Sequence, residues 1–208
     1  TYTININRKD NKYSLSDLDE ALESDDVVDI ILNSDDVITK DLLEKIKNSK
    51  KEIHFNMYDG EKVIYSWIVF GDKLDTIDDI SFRISFDIKE DFEKKVNYAS
   101  GVYVSFVSTN LGEGIKTKIY VGDRYKDGDK INVYTYKDDE ILLLDEDVEV
   151  KDGYIELVPT NENYLLTKAT FKEEKKSKKF NPFLLITILE TLVIIGIEIS
   201  ILIKKKKN

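Results

Sequence analysis

Positions 80, 82, 84, 86 and 88 are Ile, Phe, Ile, Phe and Ile, and Ser81, Arg83, Ser85 and Asp87 stand between them. A strict period of two predicts a strand over 80–88 with one buried and one wetted face. The run 63–70 (VIYSWIVF) is apolar on both faces, which suits a central strand with Trp67 as its core anchor. Runs 101–107 and 115–121 alternate in the same way, with Lys116, Lys118 and Tyr120 on the outer side. Further strands are expected over 131–136, 141–144 and 164–171, with Asp127-Gly128 and Lys137-Asp138-Asp139 between them. Asp59-Gly60 and Asp152-Gly153 each separate two apolar runs, and both suit tight hairpins because Asp and Gly tolerate positive φ.

The first fifty residues follow another rhythm. Leu15, Leu18 and Leu22 have helical spacing, and Ile38, Leu42, Leu43 and Ile46 repeat it after Thr39, a residue suited to an N-cap. The run 27–32 (VVDIIL) between them reads as a strand. The expected fold is mainly β (α+β): an antiparallel β-sandwich over 51–171, with a helix-containing N-terminal segment over 1–50 packed on it.

Beyond Phe171 the pattern changes again. Residues 183–203 read FLLITILETLVIIGIEISILI, about 31 Å of helix at roughly 1.5 Å per residue, which matches a hydrocarbon core of about 30 Å. Lys175, Lys176, Lys178 and Lys179 precede it, Lys204 to Lys207 follow it, Asn181 suits an N-cap, and Pro182 suits the first helical position. The sequence thus predicts a basic linker over 172–181, a transmembrane helix over 182–203 and a basic tail over 204–208. The terminal lysines read as a stop-transfer signal, placing the body outside and the tail in the cytoplasm; the greater number of lysines before the helix works against that orientation. At 100° per residue, Thr187, Thr191 and Glu198 fall within about 40° of one another and Glu190 about 60° to one side. One reading is a polar seam that pairs with another membrane helix. The other is that surrounding large apolar residues outweigh two off-centre carboxylates. The first residue is Thr1 rather than Met, which leads us to expect a segment upstream.

Charge follows the same division. The 208-residue chain carries 31 Lys+Arg, 41 Asp+Glu and a net charge of -10. Residues 172–208 hold nine Lys and four Glu, a net of +5, which leaves -15 for residues 1–171. An acidic body is a poor partner for nucleic acid, whose phosphates need a basic stripe. With no Cys and one His, disulfides, thiolate sites, Cys nucleophiles and multi-histidine metal sites are excluded.

Around Trp67 the order of motifs resembles a module common in Gram-positive, Clostridia-like cell-surface proteins. VVDIIL, then VITKDLLEKIKNSK, then EIHFNMYDGEKVIYSWIVFGDKL and DISFRISF are similar to its short helix followed by a Trp-containing strand pair. The second half, from IKTKIY to Asn163-Tyr164-Leu165-Leu166, looks like its later hairpin and closing strand, with Asn163 where the module usually has Ser. The resemblance covers roughly residues 15–170. It implies a membrane- or wall-proximal spacer or interaction domain of a longer exported protein and supplies no catalytic residue. Neither Pro159 nor Pro182 lies in a sortase-type L-P-x-T-G string, so retention falls to the membrane helix. The expected role is a membrane-anchored extracellular structural or adhesion module, not an enzyme and without a cofactor, whose partners are the lipid bilayer and a cell-wall or extracellular ligand. The alternative is a signalling or assembly subunit that recruits a partner membrane helix through Glu190 and Glu198.

Few residues invite chemistry. His54 falls beside Glu52 and Asn56 on the polar side of a strand, with no nucleophile motif near it. Asp123, Asp127 and Asp129 in GDRYKDGDK are the best calcium candidates, followed by Asp145, Glu146 and Asp147, because calcium takes six to eight oxygens; their spacing also fits ordinary turn chemistry. Carboxylate pairs suited to glycoside cleavage need a defined separation that spacing alone does not supply. Twelve Tyr raise sugar stacking as a function, although Tyr65 and Tyr103 fall at strand positions where packing explains them.

Overall fold

Thr39 sits in an extended conformation (φ -76°, ψ 154°), and its hydroxyl accepts from the Leu42 N–H at 3.4 Å, so the helix that follows starts as its sequence dictates. In the computed structural model, which describes residues 2–4, 8–9, 12–13, 15–23, 27–32, 37–75 and 78–171, that helix is the second of three. The first half of the chain contains β1 (Tyr2–Ile4), β2 (Arg8–Lys9), β3 (Lys12–Tyr13), α1 (Leu15–Glu23), β4 (Val28–Ile31), β5 (Val37–Ile38), α2 (Lys40–Ser49), β6 (Glu52–Asp59) and β7 (Lys62–Phe70). After a 3₁₀ turn come β8 (Ile80–Ser81), β9 (Ile84–Ser85), α3 (Glu90–Lys95), β10 (Val102–Phe106) and β11 (Ile115–Tyr120). The chain then forms β12 (Lys130–Lys137), β13 (Glu140–Glu149), β14 (Tyr154–Leu157) and β15 (Asn163–Thr167). The protein is mainly β, with few helices and several sheets.

A six-stranded sheet runs β1-β4-β6-β7-β11-β14 and a five-stranded sheet runs β13-β12-β15-β10-β9. The second is antiparallel throughout. The first is mixed: β1 with β4 and β4 with β6 are parallel, the rest antiparallel. The parallel pairs have a direct cause, since α1 and α2 each lie on the crossover between neighbouring parallel strands. The antiparallel pairing expected over 51–171 is present from β6 onward, and the parallel pairs are those made by β1 and β4 of the N-terminal segment. Leu18 and Ala21 of α1, Ile46 of α2, Ile53 and Trp67 of the mixed sheet, and Val133 and Leu166 of the other sheet belong to one hydrophobic cluster. Side chains on both sides of residue 50 thus share a core.

Trp67 is fully buried, stacked on Phe82 (centroids 4.7 Å apart, 9° between planes) and edge-on to Phe106 at 5.6 Å. Its indole Nε1–H donates to the Phe82 carbonyl at 2.8 Å. That bond explains why the run 80–88 is not one strand: the Phe82 carbonyl is taken by Trp67, β8 pairs with β5, and β9 pairs with β10. Burial still alternates through Ile80, Phe82 and Ile84, but Phe86 is 41% exposed.

The turns differ from expectation in detail. Asp59 pairs with Lys62, so the two loop residues are Gly60 and Glu61, one position later than expected, with Gly60 at φ +60°. Asp138 and Asp139 (φ 52° and 63°) join β12 to β13. Asp152 and Gly153 (φ 51° and 80°) do form a tight turn, closed by the single bridge Lys151↔Tyr154. It carries the chain from one sheet to the other and is not a hairpin, because β13 already pairs with β12 and β14 pairs with β11. Among the described residues no helix is long and apolar enough to cross a membrane. The stretch 172–208, with the expected membrane helix and Thr187, Glu190, Thr191 and Glu198, lies outside them.

Candidate functional site

At the end of the five-stranded sheet where β15 begins, three loops meet. Tyr164 is buried, and its phenol oxygen accepts the N–H groups of Thr160 (2.8 Å) and Asn161 (2.9 Å), which shapes the loop entering β15. Asn110, in the left-handed region at φ 58°, donates its N–H to the Pro159 carbonyl at 2.8 Å. The Phe106 N–H donates to the Glu162 carbonyl at 2.8 Å. Between these loops and the β12–β13 turn lies a cleft of about 420 Å³, with Lys89, Asn110, Tyr136, Lys137, Asn161 and Asn163 in its wall. Its size falls in the range of small-molecule sites.

At the other end of β15 the chain leaves the body, and side chains from three elements hold it. Thr167 donates its hydroxyl to the Ser100 carbonyl at 2.6 Å, and Tyr125 donates its phenol to the Leu166 carbonyl at 3.1 Å. Asn132 donates its amide to the Ala169 carbonyl at 3.2 Å. The Phe171 N–H donates to the Tyr134 phenol at 3.2 Å, and the two rings meet edge-on at 4.8 Å. Lys168 pairs with Asp129 at 2.8 Å, and that contact holds the Asp129 carboxyl below the usual aspartate range. Partial burial pushes the Tyr125 phenol up, so it remains a donor at neutral pH.

The calcium candidates do not converge. Asp123 pairs with Lys62 (2.9 Å), Asp127 accepts the Gly153 N–H (2.7 Å), and Asp129 accepts the Lys126 N–H (2.9 Å) in addition to Lys168. Each carboxylate closes a different turn or ion pair, and no group of three metal-binding side chains occurs among the described residues. Asp145, Glu146 and Asp147 lie along the exposed strand β13. His54 stands on the outer face of β6, with Nε2 2.7 Å from Glu52 and Nδ1 3.4 Å from Asp29. Ser66 donates to Asn56 at 2.6 Å and Asn56 to Asp29 at 3.1 Å, so the Ser66 hydroxyl is bonded to an amide and not to the imidazole. A nucleophile–base pair is not assembled there.

Sequence reasoning did not identify the cleft. Its signals are Thr109-Asn110 and Thr160-Asn161-Glu162-Asn163, which read as turn chemistry until the fold brings them together. No protein family, curated protein or solved structure matches the chain.

Proposed function

We propose that the chain is a membrane-anchored extracellular structural or adhesion module of a bacterial, Gram-positive-type surface protein. Residues 1–171 form the sandwich-like body, and a helix over 182–203 holds it to the bilayer. The observation that carries this reading is the built exit of β15. A tethered body feels any pull at the point where the tether leaves it. Here that point is a strand hydrogen-bonded on both edges, to β10 and to β12. Antiparallel ladder bonds run perpendicular to the strand, so a pull along β15 loads both ladders together. The bonds to Leu166, Ala169 and Phe171 oppose fraying of the last residues before the linker.

The acidic body fits this placement, since a net charge of -15 over residues 1–171 is repelled by anionic head groups, while lysines on both sides of 183–203 are attracted to them. The expected result of protease shaving on intact cells is loss of residues 1–171 from the cell surface, with a fragment containing 183–203 left in the membrane fraction. Protection of the body in intact cells, with digestion only after lysis, contradicts the extracellular placement. Recovery of the whole chain in the soluble fraction contradicts the anchor.

A further inference from the structure

We propose that the cleft at the start of β15 is a binding site for a short saccharide. The strongest pointer is Asn163. It is 6% exposed, and its side-chain oxygen accepts from the Ser105 hydroxyl at 3.1 Å. Asn163 lines the cleft, and in this orientation of its amide Nδ2 has no hydrogen-bond partner among the described residues. A buried amide donor left unsatisfied is costly, and a ligand acceptor seated in the cleft answers it.

The remaining groups define what the ligand must offer. Asn110 and Asn161 use their Nδ2 donors on the neighbouring Thr109 (3.4 Å) and Thr160 (3.0 Å) hydroxyls, which leaves their side-chain oxygens as acceptors. One free donor and two free acceptors around one space suit hydroxyl groups, each of which donates and accepts. Formal charge in the wall cancels: Lys89 and Lys137 stand against Asp138 and Glu162, and Lys89 already pairs with Glu162 at 3.4 Å. No net field selects a strongly charged ligand. Tyr136 adds an aromatic ring, fixed by stacking on Phe92 (5.2 Å, 9°). Its hydrogen bond to Asp139 (2.8 Å) raises its phenol above the ordinary tyrosine range, so the ring stays neutral at physiological pH. Amides, hydroxyls and one aromatic ring are the complement of a sugar's hydroxyl rim and C–H face.

The cleft lies at the end of the five-stranded sheet opposite Phe171. Sugar binding there is independent of how the chain is anchored, and each idea can fail alone. The test is a titration of the full-length, isotope-labelled protein in lipid nanodiscs, followed by two-dimensional NMR. The probes are triacetylchitotriose, maltotriose and an acidic dipeptide. One of the two trisaccharides should shift the side-chain amide signals of Asn110, Asn161 and Asn163 saturably, with a Kd on the order of 1 mM. Asn161→Ala and Lys137→Ala alter exposed or half-exposed side chains and should leave the backbone spectrum intact. Asn161→Ala should weaken binding about three- to tenfold, the loss of one hydrogen bond. The proposal is overturned if neither trisaccharide moves these signals, if the shifts fall on the six-stranded sheet, if the dipeptide binds more tightly than both sugars, or if both variants bind like the parent.

Discussion

Two strands of one sheet carry nearly the same apolar string and meet opposite fates. In β15, Tyr164, Leu165 and Leu166 are 2%, 0% and 0% exposed; in β13, Leu142, Leu143 and Leu144 are 38%, 39% and 43% exposed. Hydrophobicity does not separate them. Position does: β15 lies between β12 and β10, whereas β13 has a strand on one side only among the described residues. The edge is also marked by what surrounds its leucines. Register shifts opposite Val133, a left-handed Asp147 (φ 56°) and the acidic run Asp145-Glu146-Asp147 interrupt the strand. Bulges and charges at an edge discourage pairing with another chain. The buried strand is the one that runs on toward Phe171, the last described residue, and the exposed strand is the edge of the sheet among the described residues.

This contrast is open to direct attack, most severely by truncation. Leu166→Ala should destabilise the body by about 2–5 kcal/mol in urea unfolding, whereas Leu143→Ala should stay within roughly 0.5 kcal/mol of the parent. Equal losses would mean that the edge and central strands contribute alike. Tyr164→Phe comes next. It leaves the N–H groups of Thr160 and Asn161 without their acceptor, and about 1–3 kcal/mol should disappear from the same measurement. Tyr134→Phe removes only the acceptor of the Phe171 N–H. About 0.5–1.5 kcal/mol is expected, together with faster amide exchange at Phe171 while Leu165 remains protected.

The smallest effect is electrostatic. Asp129 has a folded-state pKa below its unfolded value because of Lys168, so its contribution is present above the unfolded pKa and is lost as pH falls through the folded one. The stability difference between the parent and Asp129→Asn should therefore be constant near neutral pH and shrink below about pH 4. A difference that grows on acidification would reverse the assignment.

How much of this was legible in the chain depended on whether a signal was local. The strand 63–70, the helix after Thr39 and the outward Lys116, Lys118 and Tyr120 follow from period and cap chemistry, and the structure has them in place. The run 80–88 misled because period two reports faces, not partners. A single carbonyl given to Trp67 was enough to break the strand. Asp152-Gly153 specified a tight turn correctly, but a turn does not say whether its flanking strands pair with each other. Helix α3 has too little apolar periodicity to stand out; Phe92 and Val96 bury against Tyr134 and Leu165, far along the chain. The parallel strand β1 was missed for the same reason, because a three-residue strand is defined only by its neighbour β4. The cleft draws on loops from four parts of the sequence, and each reads alone as an ordinary polar turn.

The proposed role requires the body to meet its linker at a strand that resists a pull. Single-molecule stretching of the full chain, with handles at Thr1 and within residues 172–181, measures that resistance. Residues 2–171 are expected to resist as a unit and give way in one cooperative rupture, at a force lowered by Tyr134→Phe. Gradual release at low force, beginning with Phe171 and proceeding strand by strand into β15, would contradict it.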